Sequence, residues 1–207
     1  MIRGKFITLE GCEGVGKSTN LEFIRDYLQS HKIPLIVTRE PGGTPVAEQI
    51  RTLLLDHTNE AFSEQAELLL MFAARSQHIK HVIRPALNAG KWVLCDRFTD
   101  ATYAYQGGGR RMDIHTIESL EQLVQGTLRP DLTLLLDAPV EIGMKRARQR
   151  GQLDRFELEK ISFFESVRRA YLLQAELNPQ RIKVINANQA LADVHLMIME
   201  ILQRILP

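Results

Sequence analysis

The sequence predicts an α/β protein whose core is a mostly parallel β-sheet. Short apolar runs alternate with longer segments of helical periodicity along the 207 residues, a pattern typical of parallel strands joined by crossover helices. The first apolar run leads into a glycine-rich loop, and an amphipathic segment follows that loop. The chain length fits one compact domain over residues 1–207, with a lid or an insertion, better than two full domains.

Five strands and the helices between them follow from the spacing of apolar residues. The strands are predicted at 6–10, 35–39, 92–96, 132–137 and 183–187. Two helix faces are marked by residues at helical spacing; they are Leu21, Ile24 and Leu28 with Phe23 and Tyr27, and Val46, Ile50, Leu53 and Leu54. Further helices fit 64–89, 113–126, 139–150, 156–177 and 189–205.

Composition limits the classes of function. The 26 basic residues nearly balance the 25 acidic ones, which argues against nucleic acid or an anionic membrane as a partner held by bulk charge. No apolar run approaches the roughly 18 residues of a membrane span. With no signal peptide apparent, we expect Cys12 and Cys95 to be reduced thiols in the cytoplasm.

The glycine-rich loop is the first chemical motif. Gly11, Gly16, Lys17 and Ser18 stand at the spacing of a P-loop, between a strand and a helix. Backbone N–H groups of such a loop surround phosphate, while the lysine reaches the β- and γ-phosphates and the serine hydroxyl binds Mg²⁺. The alternative is a glycine-rich turn that only begins a helix. The residues expected to bind ATP are Gly11, Cys12, Glu13, Gly14, Val15, Gly16, Lys17, Ser18 and Thr19.

A second pair of polar residues ends the predicted strand 92–96. An acid at the carboxyl end of a neighbouring parallel strand is where the Mg²⁺ ligand of a P-loop protein lies, so Asp96 is the metal candidate. Arg97 follows it and can bind phosphate through its fork of N–H donors. The alternatives are a helix cap or turn for Asp96 and an ordinary surface arginine for Arg97.

A basic segment late in the chain predicts a mobile cationic lid. Residues 145–156, here called the lid segment, contain one lysine and four arginines but few apolar residues. Small kinases close such a segment over the transferring phosphate. The alternative is the solvated C-terminal end of a helix, where the helix dipole favours cations. The guanine-reading sequence Asn-Lys-x-Asp of GTPases is absent from the chain.

Six sequence segments resemble those of bacterial thymidylate kinases in order and approximate spacing. They are TREPGGT (38–44), LMFAAR (70–75), DRF (96–98), AYQGGGR (104–110), RPDLTLLLD (129–137) and RARQRGQLDRFE (146–157). The resemblance implies a P-loop kinase fold with strand order 2-3-1-4-5. It also implies transfer of the γ-phosphoryl group of Mg²⁺·ATP to dTMP in a cytoplasmic homodimer packed through its long central helices.

The resemblance also implies roles for residues around dTMP. Arg97 and Arg39 would clamp the acceptor phosphate, and the Glu40–Pro41 pair suggests a tight bend with a cis peptide bond. Phe72 would stack on thymine, although periodicity alone favours core packing, and Arg75 would donate to the O4 atom of the base. The remaining expected dTMP-binding residues are Thr102, Tyr105 and Gln106, of which Tyr105 fits a core tyrosine equally well.

The loop acid and the lid complete the expected site. By resemblance, Glu13 faces the acceptor or a Mg²⁺-bound water; the alternative is a solvent-facing loop acid. Some family members carry an arginine where this chain has Gly14, so its catalytic charge is expected from the lid, with Arg150 first and Arg148 or Arg155 as alternates. Glu157 is a weaker candidate for acceptor or metal contact. Arg146 and the segment 186–189 are expected near adenine.

Overall fold

The computed structural model describes residues 3–56, 60–150 and 154–206, with the backbone alone for Arg150. Its centre is a five-stranded parallel sheet in the order β2-β3-β1-β4-β5, which confirms the predicted order 2-3-1-4-5. The strands are β1 Phe6–Glu10, β2 Leu35–Arg39, β3 Trp92–Asp96, β4 Leu132–Asp137 and β5 Ile182–Asn186. Only β5 differs from its predicted position, by one residue.

Helices cover both faces of this sheet. They are α1 Lys17–Ser30, α2 Pro45–Leu55, α3 Glu64–His78, α4 Arg84–Asn88, α5 Thr99–Thr102, α6 Ile114–Gln125, α7 Val140–Arg150, α8 Ile161–Leu177 and α9 Leu191–Gln203, with π-helical segments π1 Ile79–Ile83 and π2 Tyr103–Gly109. In the residues that the structure describes, none of these helices is long and apolar enough to cross a membrane.

Three predictions about helices were wrong in detail. The predicted helix 64–89 is interrupted by π1, whose wider turn apolar periodicity does not reveal. The predicted helix 156–177 begins only at Ile161, because the Asp154 carboxylate accepts the backbone N–H groups of Phe156 and Glu157 and forms a turn. On α2, the predicted apolar face is only partly buried, because Val46 and Leu53 are 50% and 41% exposed.

The apolar core lies on both sides of β1. Ile7 and Leu9 face a large cluster that includes residues of α1, α8 and α9. Phe6 faces a second cluster, where its ring meets the Phe98 ring edge-on at a centroid distance of 4.9 Å. Because β1 lies between β3 and β4, the loop after β1 and the residues after β3 emerge side by side at the carboxyl edge of the sheet.

A buried carboxyl group lies directly beneath this edge. The Glu10 side chain at the end of β1 accepts the Phe98 N–H at 2.6 Å and the Tyr171 hydroxyl at 2.8 Å. Burial, together with the nearby Asp100 carboxylate, raises the pKa of Glu10 to about 8. The folded protein therefore binds this proton more tightly than the unfolded chain does.

Glu10→Gln tests that linkage. Because the folded-state pKa is raised, the stabilising contribution of the Glu10 proton is complete below about pH 4.5 and is lost as pH rises towards about 8. We expect the free energy of unfolding of the variant to decline less over this range than that of the wild type, as measured by urea unfolding at several pH values. Glu22→Gln, at an exposed position of α1, is the matched control. Equal slopes for the wild type and Glu10→Gln would contradict the raised pKa.

Candidate active site

The loop between β1 and α1 is the candidate anion site, and the side chain of its lysine lies across it. Helix α1 begins at Lys17, whose Nζ atom donates to the carbonyl oxygens of Gly11 at 3.2 Å and Cys12 at 2.8 Å. Burial, with the neighbouring Arg97 charge, lowers the pKa of Lys17. An anion in the loop would meet this ammonium group and the N-terminus of α1 together.

Gly14 is a position of the loop that allows no side chain. Its φ of 68° is left-handed, and a Cβ atom there would lie 1.8 Å from the carbonyl oxygen of Gly143. A Cβ atom on Gly143 would in turn lie 2.4 Å from the carbonyl oxygen of Glu13. The loop is therefore in backbone contact with α7, the helix that enters the lid segment. An arginine at position 14 would push α7 away from the loop.

Glu13 is paired rather than aimed at a donor phosphate. Its Oε1 atom accepts Nη2 of Arg97 at 2.5 Å and the Tyr105 hydroxyl at 2.9 Å. Arg97 Nη1 donates to the Gly11 carbonyl at 2.9 Å and to the Tyr171 hydroxyl at 3.1 Å. Burial alone would lower the pKa of Arg97, but the Glu13 carboxylate raises it well above its usual value. A carboxylate inside an anion-binding loop thus fixes the arginine beside it.

The backbone of Arg97 is itself unusual. Its φ is 65°, a left-handed conformation that is uncommon for residues other than glycine. Its N–H nevertheless donates to the Leu9 carbonyl of β1 at 3.0 Å. This turn directs the Arg97 side chain over the loop rather than along β3, and such conformations concentrate at functional sites.

Two more arginines line the same crevice from the TREPGG segment and α2. Arg39 Nη2 donates to Glu48 at 2.8 Å, and Arg51 Nη1 donates to the Pro41 carbonyl at 2.9 Å. The Glu40–Pro41 peptide bond is cis, as the sequence suggested. Sequence reasoning missed Arg51, because a single arginine in an amphipathic helix is indistinguishable from a residue on its solvent face.

Arg75 also lines the crevice. Its Nε donates to Glu40 Oε2 at 2.7 Å, and its Nη2 donates to the Thr102 hydroxyl at 3.0 Å and the Phe98 carbonyl at 3.3 Å. The remaining nitrogen, Nη1, is buried and has no hydrogen-bond partner within the described part of the chain. Because a buried unpaired donor is costly, this nitrogen marks a place for an acceptor atom.

The prediction for Phe72 is not supported by its position. Phe72 is 2% exposed and packs in a cluster with Leu68 and Ile117, and it does not line the crevice. Its neighbour Met71 does line it. Consecutive helix positions point about 100° apart, so when Phe72 faces the core, Met71 presents its thioether to the crevice.

The polar residues of α5 and π2 also contribute to the crevice. Thr102, Tyr105 and Gln106, the residues expected to bind dTMP, all line the crevice. Tyr105 is also a buried tyrosine, and its ring lies 4.9 Å from the Arg97 guanidinium. Gln106 is anchored at its amide nitrogen, which donates to Glu67 Oε1 at 2.8 Å.

The metal candidates fit a Mg²⁺ ion in part. Asp96 Oδ1 is buried without a hydrogen-bond partner in the described ranges, and Ser18 lines the same crevice. Those ranges contain no cluster of three or more histidines, cysteines and acids that could hold a metal by itself. One carboxylate and one hydroxyl suit Mg²⁺, which keeps several waters and binds substrate phosphates. Glu13, paired with Arg97, is the weaker candidate.

The lid residues occupy different surroundings. Arg146 lines the crevice and donates to the carbonyl of Ala187 at 3.4 Å, a residue of the segment 186–189 expected near adenine. Arg148 is exposed on α7, the Arg150 side chain lies outside the described residues, and Glu157 lines the crevice. Arg155 does not line it, because its guanidinium binds the Leu54 carbonyl at 2.8 Å and Glu67 at 2.7 Å.

These residues enclose one continuous crevice of about 740 Å³ at the carboxyl edge of the sheet. The loop after β1, the side chains of Arg39, Arg51 and Arg97, and Arg75 all line it. Its volume falls in the upper part of the range for small-molecule sites. The arrangement suits two ligands whose charged groups meet at the arginines.

Comparison with known proteins identifies the family. A family model described as thymidylate kinase matches residues 9–198. The chain belongs to the thymidylate kinase family. It is 60% identical to the thymidylate kinase of Ectopseudomonas mendocina over 191 residues, covering 92% of this chain and 91% of that one. It is 56% identical to that of Pseudomonas syringae pv. tomato over 203 residues, covering 98% and 97%.

A solved structure agrees in fold. The crystal structure of thymidylate kinase from Ehrlichia chaffeensis superposes with a TM-score of 0.79 at 33% identity, covering 97% of this chain and 99% of that chain. As a member of the thymidylate kinase family, the chain is a phosphotransferase of the P-loop kinase fold.

The contact between the loop and α7 can be tested with Gly143→Ala. Alanine favours the helix by about 1 kcal/mol over glycine, yet its Cβ atom would overlap the Glu13 carbonyl. We therefore expect the variant to bind ATP at least tenfold more weakly, about 1.4 kcal/mol, in isothermal titration calorimetry. Glu141→Ala, exposed on the same helix, is the control. Wild-type ATP affinity in Gly143→Ala would show that the contact is dispensable.

Proposed function

We propose that this crevice binds Mg²⁺·ATP and dTMP end to end and that the chain phosphorylates dTMP to dTDP, the reaction of the thymidylate kinase family. The observation that carries the proposal is the continuity of the crevice from the phosphate-binding loop to the unpaired nitrogen of Arg75. A donor nucleotide alone would leave the part of the crevice near Arg75 empty. The arginine-lined part of the crevice fits the meeting point of two phosphate groups.

The donor phosphates belong to the loop. Residues Gly11 to Thr19 surround them through backbone N–H groups, and Lys17 exchanges its bonds to loop carbonyls for bonds to phosphate oxygens. Ser18 and Asp96 would hold Mg²⁺, which neutralises phosphate charge when bound. The position of Arg146 beside the carbonyl of Ala187 supports its assignment to the adenine side.

The acceptor brings its own nucleophile, a phosphate oxygen, so the protein needs no strong general base. Its contribution is alignment and neutralisation of charge. Arg97, held by Glu13, marks the in-line position, and Arg39 and Arg51 bind the remaining oxygens of the acceptor phosphate. Glu13 and Glu48 keep the guanidinium groups of Arg97 and Arg39 in place before the substrate arrives.

The thymine ring belongs at the Arg75 end of the crevice. Arg75 Nη1 donates to the O4 atom of the base, where cytosine carries an amino group that is itself a donor. Gln106 and Thr102 lie at the edge of the ring, Met71 contacts its face, and Tyr105 lies close to the sugar. This assignment replaces Phe72 by Met71 as the apolar contact.

The final charge comes from the lid segment. With Gly14 in the loop, the arginine that neutralises the transferring phosphoryl group is assigned to Arg150, with Arg148 as the alternate. Arg155 becomes the weakest of the three, because it is already bound to Glu67. Glu157 remains a candidate for contact with the acceptor.

The proposal extends to assembly and location. A homodimer packed through the central helices is proposed, and α3 and α6 each expose a leucine, Leu69 at 56% and Leu123 at 79%. Light scattering after gel filtration tests the proposed homodimer. A monomer at micromolar concentration would contradict it. The cytoplasm is the proposed location, as the place where ATP and dTMP are available, and fractionation of cells tests that assignment.

One assay decides the reaction. ADP release is measured with ATP alone and then with dTMP, dUMP, dCMP, AMP or GMP as acceptor. Release that requires dTMP, and prefers it, supports the proposal. Release that ignores every monophosphate would indicate an ATPase without acceptor, and release that prefers dCMP would overturn the assignment of the base site.

Arg75→Lys separates charge from geometry at the base site. Lysine keeps a cation for Glu40 but loses the fork of donors, so we expect KM for dTMP to rise about tenfold or more with a smaller change in kcat. Discrimination against dCMP should fall as well. Titration with ATP alone serves as the control. Unchanged discrimination between dTMP and dCMP would show that Arg75 is not part of the base site.

Arg150→Ala tests the source of catalytic charge. An arginine that acts mainly in the transition state affects turnover, so kcat should fall by about 10³-fold while the dissociation constant for dTMP changes little. Arg148→Ala is the comparison and should have the smaller effect. A large loss of dTMP binding with turnover intact would contradict the assignment.

A further inference from the structure

The Glu67 carboxylate in α3 accepts four hydrogen bonds near the crevice. Its side chain is 2% exposed. Its Oε1 atom accepts Nε2 of Gln106 at 2.8 Å and Nε of Arg110 at 3.3 Å. Its Oε2 atom accepts Nη2 of Arg155 at 2.7 Å and Nη2 of Arg110 at 3.3 Å. All four acceptor positions of the carboxylate are thus occupied.

These bonds determine which way the Gln106 amide faces. An ionised carboxylate only accepts hydrogen bonds, so the amide group of Gln106 must turn its nitrogen towards Glu67. The carbonyl oxygen then lies on the opposite side of the amide, and Gln106 lines the crevice. Arg110 and Arg155 form ion pairs with the carboxylate and hold it in place.

We propose that Glu67 is a positioning residue that sets acceptor selectivity through Gln106. It presents the Gln106 carbonyl oxygen as an acceptor to the base, which matches a ring nitrogen that carries a proton. Thymine and uracil have such an N3–H group, whereas the same atom of cytosine is an acceptor and would be repelled. The inference rests on the proposed function and adds a residue that does not line the crevice itself.

Glu67→Gln tests the inference. The introduced amide has one acceptor atom, which both arginines and Gln106 would now share, so Gln106 no longer has a single orientation. We expect the ratio of kcat/KM for dTMP over dCMP to fall about tenfold, mainly through a higher KM for dTMP. Glu64→Gln, an exposed acid in the first turn of the same helix, should keep the wild-type ratio.

A double-mutant comparison shows whether the effect passes through Gln106. In a Gln106→Leu background there is no amide to orient, so adding Glu67→Gln should leave the dTMP to dCMP ratio unchanged. An equal fall in both backgrounds, or a wild-type ratio in Glu67→Gln, would overturn the proposal. If circular dichroism shows that Glu67→Gln is unfolded, Glu67→Asp replaces it. The shorter aspartate side chain also fails to reach all four donors.

The outcome is independent of the test of the reaction itself. Release of ADP by the wild-type protein with dTMP is measured first, and its absence would end the proposed function. When the wild type is active, only the selectivity of the variants bears on Glu67.

Discussion

The ion pair between Glu13 and Arg97 is the interaction around which the crevice is organised. It joins the loop after β1 to the residue after β3 across a distance of 2.5 Å, and the strand order places those two chain segments side by side. The pair lies with the Gly11 carbonyl and the Tyr171 hydroxyl in a largely buried network. A preformed guanidinium group needs little reorganisation when phosphate charge develops beside it. The carboxylate of Glu13, within the loop after β1, therefore holds the guanidinium group of Arg97 in position.

Two other constraints make this arrangement depend on the fold as a whole. The loop is pressed against α7 at Gly14 and Gly143, so its shape is coupled to the helix that carries the lid arginines. The end of the lid segment is bound in turn to Glu67 and to the Leu54 carbonyl of α2. The candidate donor site, the lid segment and the candidate acceptor site thus share backbone and carboxylate contacts.

Much of the fold could be predicted from the sequence, because each buried strand is a short apolar run and each crossover has helical periodicity. The π-helical segments were not predictable in this way, since a wider turn leaves no distinct pattern at this length. In the site, spacing located the loop, Asp96 and Arg97. It could not distinguish Phe72 from Met71, because adjacent residues of an apolar helix differ only in which face meets the crevice. Nor could it place Arg155, whose partner Glu67 lies 88 positions away.

The most direct test of the central claim uses one molecule in place of two substrates. Adenosine and thymidine joined 5′ to 5′ by a polyphosphate chain should occupy the loop, the three arginines and the Arg75 end together. Such a compound is expected to inhibit competitively against ATP and also against dTMP, because both sites belong to one continuous crevice. Competition with only one of the two substrates would mean that the nucleotides do not meet at Arg97.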